Sequence, residues 1–242
     1  DGDPETRIGS ISLNNTGLRP WTADNYDLSL EYYTRHGGVF SAGAFLKEVD
    51  DFFGNDVRIA TDADLVEFGL PSRYRGWRIT STFNSGNARI SGAEISVRHS
   101  LQALGGWGRY FSGFVNATKL NLKGDRQADF NRFIRETVNW GFTFSKKPAT
   151  FMAKWNYRGQ QKRGAFPTLG PDAFEYYQAR INLDLNLDYT FGPRLAFFLN
   201  ARNIFNEPQT LMRYGSVTPD YAKQFRTEEF GIQFVLGVKG TF

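Results

Sequence analysis

Three short segments of this sequence combine cations with aromatic rings in a way that suits ligand binding. Residues 73–78 read Arg-Tyr-Arg-Gly-Trp-Arg, and the combination recurs at 163–166 and 213–214. Guanidinium groups donate paired hydrogen bonds to anions, and aromatic rings offer stacking surfaces. Two interpretations stay open: these residues bind an anionic or sugar ligand, or they order their loops and contact lipopolysaccharide phosphates. The candidate residues are Arg73, Tyr74, Arg75, Trp77, Arg78, Arg163, Phe166, Arg213 and Tyr214.

Residue combinations that suit catalysis are much weaker. His36 and His99 are distant in sequence, and no HExxH, DxDxDG or cysteine pattern occurs, so we expect no metal site. His99 precedes Ser100, as in some hydrolases, but no third group follows at a recognisable spacing. We therefore expect no enzyme, no catalytic residue and no cofactor. Paired carboxylates on one strand face fit better as polar groups opposite cations on neighbouring strands; they are Asp27 with Glu31 and Asp184 with Asp188.

Composition narrows the class of protein. Of 242 residues 40% are hydrophobic, yet no run approaches the roughly 18 apolar residues of a membrane-spanning helix. Cysteine is absent, which excludes disulfides and thiolate metal sites. The 29 basic and 25 acidic residues are interspersed, so we expect no nucleic-acid partner. An aromatic share of 16% suits a β-rich protein with aromatic girdles at a membrane interface.

The elements that must position these groups are strands, because apolar and polar residues alternate. Between residues 181 and 189 every odd position is Ile, Leu or Tyr and every even position is Asn or Asp. A period of two separates these sets onto opposite faces of a strand, whereas a helix would mix them. Residues 229–242 alternate in the same way and end on Phe242. That stretch exceeds the roughly 9–11 residues that a tilted membrane strand needs.

Nine segments of spanning length are predicted as strands. Their bounds are 25–35, 39–50, 88–101, 110–122, 136–145, 150–158, 177–191, 195–205 and 227–242. In the second and fourth segments the alternation does not decide which of the two residue sets faces outward. In these two we expect the outward residues to be Phe40, Ala42, Ala44 and Leu46, and Phe111, Val115 and Ala117.

The connections alternate strictly between short and long. Outer-membrane barrels have short periplasmic turns and long extracellular loops, so the alternation predicts an all-β, antiparallel transmembrane barrel segment. A soluble β-sheet binding module is the alternative, but in such a module we expect no regular alternation of short and long loops. Two loops also contain helix signals: residues 61–69 begin with a Thr cap, and residues 218–224 place Pro at the first helical position.

Nine strands are an odd number, whereas bacterial single-chain barrels use an even number. Open sheet edges cannot lie in hydrocarbon, because their backbone groups would stay unpaired. We therefore expect the C-terminal part of a larger barrel. In this organisation residues 1–24 are an extracellular loop or strand end, and residues 25–242 are transmembrane barrel strands.

Several motifs resemble the C-terminal barrel region of TonB-dependent outer-membrane receptors. They occur in the expected order and span nearly the whole chain, although each alone is weak. The matching stretches are residues 18–33, 38–47, 90–97 and 201–208, together with the terminal Phe242.

The resemblance implies a 22-stranded barrel in a Gram-negative outer membrane, with an N-terminal plug domain that lies outside this chain. It implies uptake of a scarce, bulky nutrient such as a ferric siderophore, cobalamin or an oligosaccharide, powered by the TonB complex through the missing N-terminal part. A passive outer-membrane porin or adhesin barrel is the alternative. Further implied partners are outer-membrane lipid and the barrel-assembly machinery, which would recognise a C-terminal signal of Phe234, Leu236, Val238 and Phe242.

Overall fold

The computed structural model describes residues 9–124 and 128–240, and their fold is all-β with one short α-helix. Apart from this helix, α1 (Asp62–Glu67), the described helical segments are 3-10 helices of three to five residues. The strands in chain order are β1 (Ser10–Leu13), β2 (Thr22–Tyr33), β3 (Val39–Ile59), β4 (Arg78–Ser100), β5 (Phe111–Gly124), β6 (Glu136–Lys146), β7 (Ala149–Arg158), β8 (Gln161–Ala165), β9 (Phe174–Tyr177), β10 (Arg180–Thr190), β11 (Leu195–Arg202), β12 (Gln209–Tyr214), β13 (Gln224–Glu228) and β14 (Gln233–Gly240).

The main sheet is a meander of nine strands in the order β2-β3-β4-β5-β6-β7-β10-β11-β14. Every neighbouring pair along this path is antiparallel. The short connections therefore lie at one end of the sheet and the long ones at the other. Because β2 and β14 do not pair with each other, the sheet is a partial barrel. The predicted nine-strand antiparallel architecture is confirmed.

Cross-strand register brings the apolar residues of neighbouring strands onto one face, which we call the apolar face. Directly paired residues of antiparallel strands share a face, and the predicted faces of the second and fourth segments are confirmed by their pairing. One unbroken row consists of Tyr32, Phe40, Val97, Val115, Trp140, Trp155 and Leu183. A second row consists of Phe111, Phe144, Phe151, Leu187, Leu199 and Leu236.

The opposite face, which we call the polar face, carries a continuous row of polar side chains across β4 to β10, and Phe114, Met152 and Phe198 also lie on it. Ser96 donates a hydrogen bond of 2.6 Å to Asn116, and Asn156 donates one of 3.3 Å to Asp184. The sheet therefore separates an apolar surface from a hydrogen-bonding surface, as a barrel with lipid outside and a polar interior requires. The central row of this polar face is Ser96, Asn116, Asn139, Asn156 and Asn182.

The predicted loop at 51–87 is wrong in extent, because β3 and β4 keep pairing as far as Ile59 and Arg78. Their register shifts between Val49 and Phe53, where Asp51 adopts a φ of 55°. Such a bulge adds residues to one strand and breaks the alternation by which strands are recognised in a sequence. Only residues 60–77 connect the two strands.

The predicted loops at 159–176 and 206–226 are also wrong in part, because they contain a second sheet. It has four strands in the order β13-β12-β9-β8 and lies at the long-loop end. The predicted last strand, 227–242, is divided: residues up to Glu228 belong to this second sheet, and the barrel strand begins at Gln233. Gly231 has a φ of 75°, a conformation that glycine adopts readily, and it turns the chain between the two.

The tip of the β3–β4 hairpin has its own small core. Ala60, Leu65 and Ile79 are buried there, and β1 pairs in parallel with the start of β4. Thr61 caps α1 as predicted: its side chain accepts a hydrogen bond from the Asp64 amide, and the Asp64 carboxylate accepts one from the Thr61 amide. The second predicted helix forms only a 3-10 turn at Asp220–Ala222. No helix within the described residues is long and apolar enough to span a membrane.

Candidate ligand-binding loops

A cleft of about 710 Å³ opens at the long-loop end of the sheet. One wall comes from β1 and the extended β3–β4 hairpin, and the other comes from residues 128–131 and the β8–β9 hairpin. Its size lies within the range that suits a small-molecule ligand. Its lining combines cations with amide and carboxylate oxygens, chiefly from Asn55, Arg78, Asp129, Asn131 and Lys162.

Lys162 is a cleft-lining cation whose pKa is lowered. Its ammonium lies 3.4 Å from the centre of the Phe174 ring, a cation–π contact. Burial lowers the pKa of Lys162; the nearby Asp129 carboxylate opposes this and the Arg135 guanidinium adds to it. The side-chain oxygen of Asn131 is buried there without a hydrogen-bond partner. The cleft therefore presents a partly desolvated cation to a ligand.

Four of the predicted binding residues lie at the hairpin tip, outside the cleft lining. Tyr74 packs against the small core and meets Trp77 edge-on, with ring centres 4.8 Å apart. Arg73 stacks over Tyr74 at 5.0 Å, and Arg75 forms a 3.2 Å ion pair with Asp62. These contacts order the loop. Of the segment 73–78, only Arg78 lines the cleft.

The other predicted residues come together on the second sheet. Arg213 lies 4.2 Å from the ring centre of Phe166 and 3.3 Å from that of Phe225, and it forms a 2.7 Å ion pair with Glu175. Tyr214 stacks on Tyr176 with ring centres 4.4 Å apart. Arg163 stacks over Tyr177 at 4.9 Å. The structure brings Arg213 and Phe166 together, but their mutual contacts leave them little free surface for a ligand.

The predicted C-terminal signal lies on the last strand. Phe234, Leu236 and Val238 belong to the apolar face of β14, and each is more than half exposed on the free edge of the partial barrel. Phe242 lies outside the described residues.

The residues weighed for catalysis make structural contacts. His99 shares a 3.2 Å hydrogen bond with Thr34, and Asp188 forms a 2.7 Å ion pair with Lys239. Asp184 accepts a 3.1 Å hydrogen bond from the Asn203 amide. In residues 9–124 and 128–240, no group of three or more His, Asp and Glu side chains is placed to hold a metal ion.

Sequence reasoning did not select Lys162, Asn131 or Asn55 for the cleft. Lys162 adjoins the predicted Arg163, so the prediction named the same segment but not the side chain that lines the cleft. The alternation of β8 sends neighbouring side chains to opposite faces, and nothing in the sequence indicates which face meets the β3–β4 hairpin. The pairing of separate loops creates this cleft.

The sequence matches the family described as "TonB dependent receptor-like, beta-barrel" over residues 3–204. The chain belongs to this family. Proteins of this family are outer-membrane transport receptors, not enzymes, and they bind a small-molecule ligand and TonB. Among curated proteins, no sequence matches.

Solved structures of TonB-dependent receptors share the fold of this chain. The copper transporter OprC is 17% identical with a TM-score of 0.66, over 94% of this chain and 33% of that one. The outer-membrane transporter YddB from Escherichia coli is 12% identical with a TM-score of 0.59, over 98% and 35%. A ferric enterobactin receptor mutant from Pseudomonas aeruginosa, in complex with enterobactin, is 14% identical with a TM-score of 0.62, over 97% and 34%. The chain thus spans about a third of these receptors.

Proposed function

We propose that this chain is the C-terminal barrel part of a TonB-dependent transporter in a Gram-negative outer membrane. The observation that carries the proposal is the pairing of an unbroken apolar face with a polar face across nine strands. An apolar face of this extent suits acyl chains, and the polar face suits a water-filled or protein-filled interior. Residues 25–242 then supply barrel strands, and an N-terminal plug domain completes the receptor.

The transported ligand is proposed to be a scarce, bulky nutrient that first contacts the cleft at the long-loop end. Arg78 and Lys162 there can donate hydrogen bonds to oxygen atoms of a ligand, most strongly to anionic ones. Ferric siderophores and cobalamin carry anionic oxygens, and an oligosaccharide carries hydroxyl oxygens that also accept hydrogen bonds. One related solved receptor holds enterobactin and another is a copper transporter, so the family fold accommodates different cargo.

Energy dependence distinguishes this function from a passive porin or adhesin. Cells that express the complete receptor should accumulate a radiolabelled siderophore, cobalamin or oligosaccharide against its gradient, and deletion of TonB should abolish that uptake. Uptake that persists at the same rate without TonB would support the porin alternative. Normal surface expression of the receptor in both strains is the control.

The contribution of the cleft can be tested separately. Replacing Arg78 and Lys162 together by Ala should weaken ligand uptake, because both cations line the cleft. The matched control is Arg226→Ala on β13, whose half-exposed side chain forms an ion pair with Glu228 outside the cleft lining. A second pair, Arg73→Ala with Arg75→Ala, tests the hairpin tip. Unchanged uptake with normal surface expression would remove the altered residues from the binding site.

We also propose that Phe234, Leu236, Val238 and Phe242 act together as the signal for the barrel-assembly machinery. The three described side chains lie in line on the apolar face of β14 and are exposed. Deletion of Phe242 should reduce the amount of folded receptor in the outer membrane without lowering its synthesis. Equal amounts of folded receptor with and without Phe242 would contradict this assignment.

A further inference from the structure

A cluster of rings and cations lies at the short-turn end of the apolar face. The ammonium of Lys146 lies 4.7 Å from the ring centre of Trp107 and 5.1 Å from that of Tyr110. Arg109 stacks over the same Tyr110 at 4.8 Å. Trp107 is 65% exposed. We call these four residues the turn-end cluster.

The apolar face continues directly into this cluster. Phe144 belongs to the apolar row, and its ring centre lies 6.3 Å from Trp107 and 6.1 Å from Tyr110. Lys146 follows Phe144 by two residues on β6, so its side chain leaves the strand on the same face. The cluster therefore lies where the surface that contacts acyl chains meets the headgroup region.

The charge of the cluster is not neutralised within the described residues. Neither Lys146 nor Arg109 has an ion pair or a side-chain hydrogen bond there, so their N–H donors are free. Lys147 adds a third cation, and no acidic residue occurs between 95 and 118 or between 137 and 151. The aromatic rings hold the Lys146 ammonium without consuming its hydrogen-bonding capacity, because a cation–π contact uses only its charge.

We propose that the turn-end cluster binds the phosphate headgroup of an anionic phospholipid in the periplasmic leaflet. Charge complementarity identifies the headgroup, and the adjoining Phe144 and Phe111 offer a surface for the acyl chains. The inference goes beyond the proposed transport function and depends only on placement of the barrel in the outer membrane.

The test uses the complete receptor, purified in detergent, with added phosphatidylglycerol or phosphatidylethanolamine of identical acyl chains. Native mass spectrometry should show preferential retention of phosphatidylglycerol. Lys146→Gln should weaken that binding about fivefold, the effect of one cation near an anionic lipid surface, and Lys146→Arg should preserve it. Trp107→Ala retains every charge but should also weaken binding, because the ring positions the ammonium.

Lys239→Gln is the matched control. Lys239 lies at the same end of the sheet but forms an ion pair of 2.7 Å with Asp188 on the polar face. This variant should retain phosphatidylglycerol like the unaltered receptor. Equal retention of both lipids by the unaltered receptor, or undiminished preference in Lys146→Gln, would overturn the proposal. TonB-dependent uptake is measured in the same variants, so that a loss of lipid binding can be distinguished from a loss of transport.

Discussion

Trp140 and Trp155 lie directly opposite each other on β6 and β7, with ring planes 5° apart and centroids 6.2 Å apart. Leu183 pairs with Trp155 on the following strand. Three consecutive strands thus place large apolar side chains at the same level of one face. In a barrel that spans a membrane, a face of this kind contacts the acyl chains of the lipid.

The two faces of β10 should respond differently to a new charge. Leu185 lies midway along the strand on the apolar face, and Asn186 is its neighbour on the polar face. Leu185→Lys should destabilise the receptor by about 2–4 kcal/mol, the cost of a lysine at the bilayer midplane. Asn186→Lys should change stability little. Urea unfolding of the receptor refolded into lipid vesicles measures both, and equal losses would contradict the assignment of the faces.

Two glycines on neighbouring strands should differ in their tolerance of a methyl group. A Cβ atom at Gly141 would overlap the carbonyl oxygen of Ala153 on the paired strand, whereas one at Gly113 would lie 3.8 Å from its nearest neighbour. Backbone cannot yield as a flexible side chain can, so Gly141→Ala should cost about 1–3 kcal/mol. Gly113→Ala is the control. The unfolding midpoint of each variant in vesicles checks the difference, and matching midpoints would show that β6 and β7 separate easily.

The transmembrane part of the fold can be predicted from the sequence because lipid imposes a local rule. Each spanning strand must present apolar side chains on one face, so alternation over about ten residues is sufficient evidence. The strand β10 is the clearest case, and its predicted faces are confirmed by the pairing of Leu183, Leu185 and Leu187 with β7. The same rule also predicts the meander, because short and long connections alternate.

The long-loop end cannot be predicted in the same way. Strand β9 has only four residues, three of them aromatic, and it pairs with β12, which follows more than 30 residues later. Water on both sides removes the demand for alternation, so contacts between distant segments decide the structure. The bulge around Asp51 interrupts the alternation, so the rest of β3 cannot be recognised as a strand in the sequence. The cleft depends on these non-local contacts, and the sequence alone therefore did not predict Lys162.

Arg213 should hold the second sheet together. It contacts Phe166 and Phe225 and forms an ion pair with Glu175, and both charged side chains of this pair are about three-quarters buried. Arg213→Ala should destabilise this sheet by about 1–3 kcal/mol, because it removes the stacking and leaves a carboxylate without its partner. The measurement is proteinase K cleavage within residues 159–179 and 203–232 on intact cells.

Arg226→Ala is the matched control for that experiment, since its ion pair with Glu228 lies on the same sheet but is more exposed, at 49% and 35% for the two side chains. Exposed ion pairs contribute little to stability. Cleavage should accelerate only in Arg213→Ala. Equal resistance of both variants would show that Arg213 does not stabilise this sheet.

Protonation of Asp64 in acid should destabilise the hairpin tip. Hydrogen bonds from the Thr61 hydroxyl and amide, followed by the Arg58 guanidinium, lower the pKa of Asp64 from 3.8 to about 2. A lowered folded-state pKa means that the carboxylate stabilises the tip fully above pH 3.8, and that this stabilisation disappears as the pH falls towards 2. Hydrogen exchange of the amides in residues 61–68, corrected for intrinsic rates, should therefore accelerate across this interval.

Thr61→Val keeps the shape of the capping residue but removes its hydroxyl, the largest cause of the lowered pKa. In this variant the acceleration should begin at a higher pH, closer to the ordinary value of an aspartate. Asp220 provides the comparison within the same protein, because its pKa is lowered by Lys223 and not by a helix cap. Thr61→Val should leave exchange near Asp220 unchanged. If the pH profile of residues 61–68 is the same in both proteins, the capping hydrogen bonds do not control the stability of this tip.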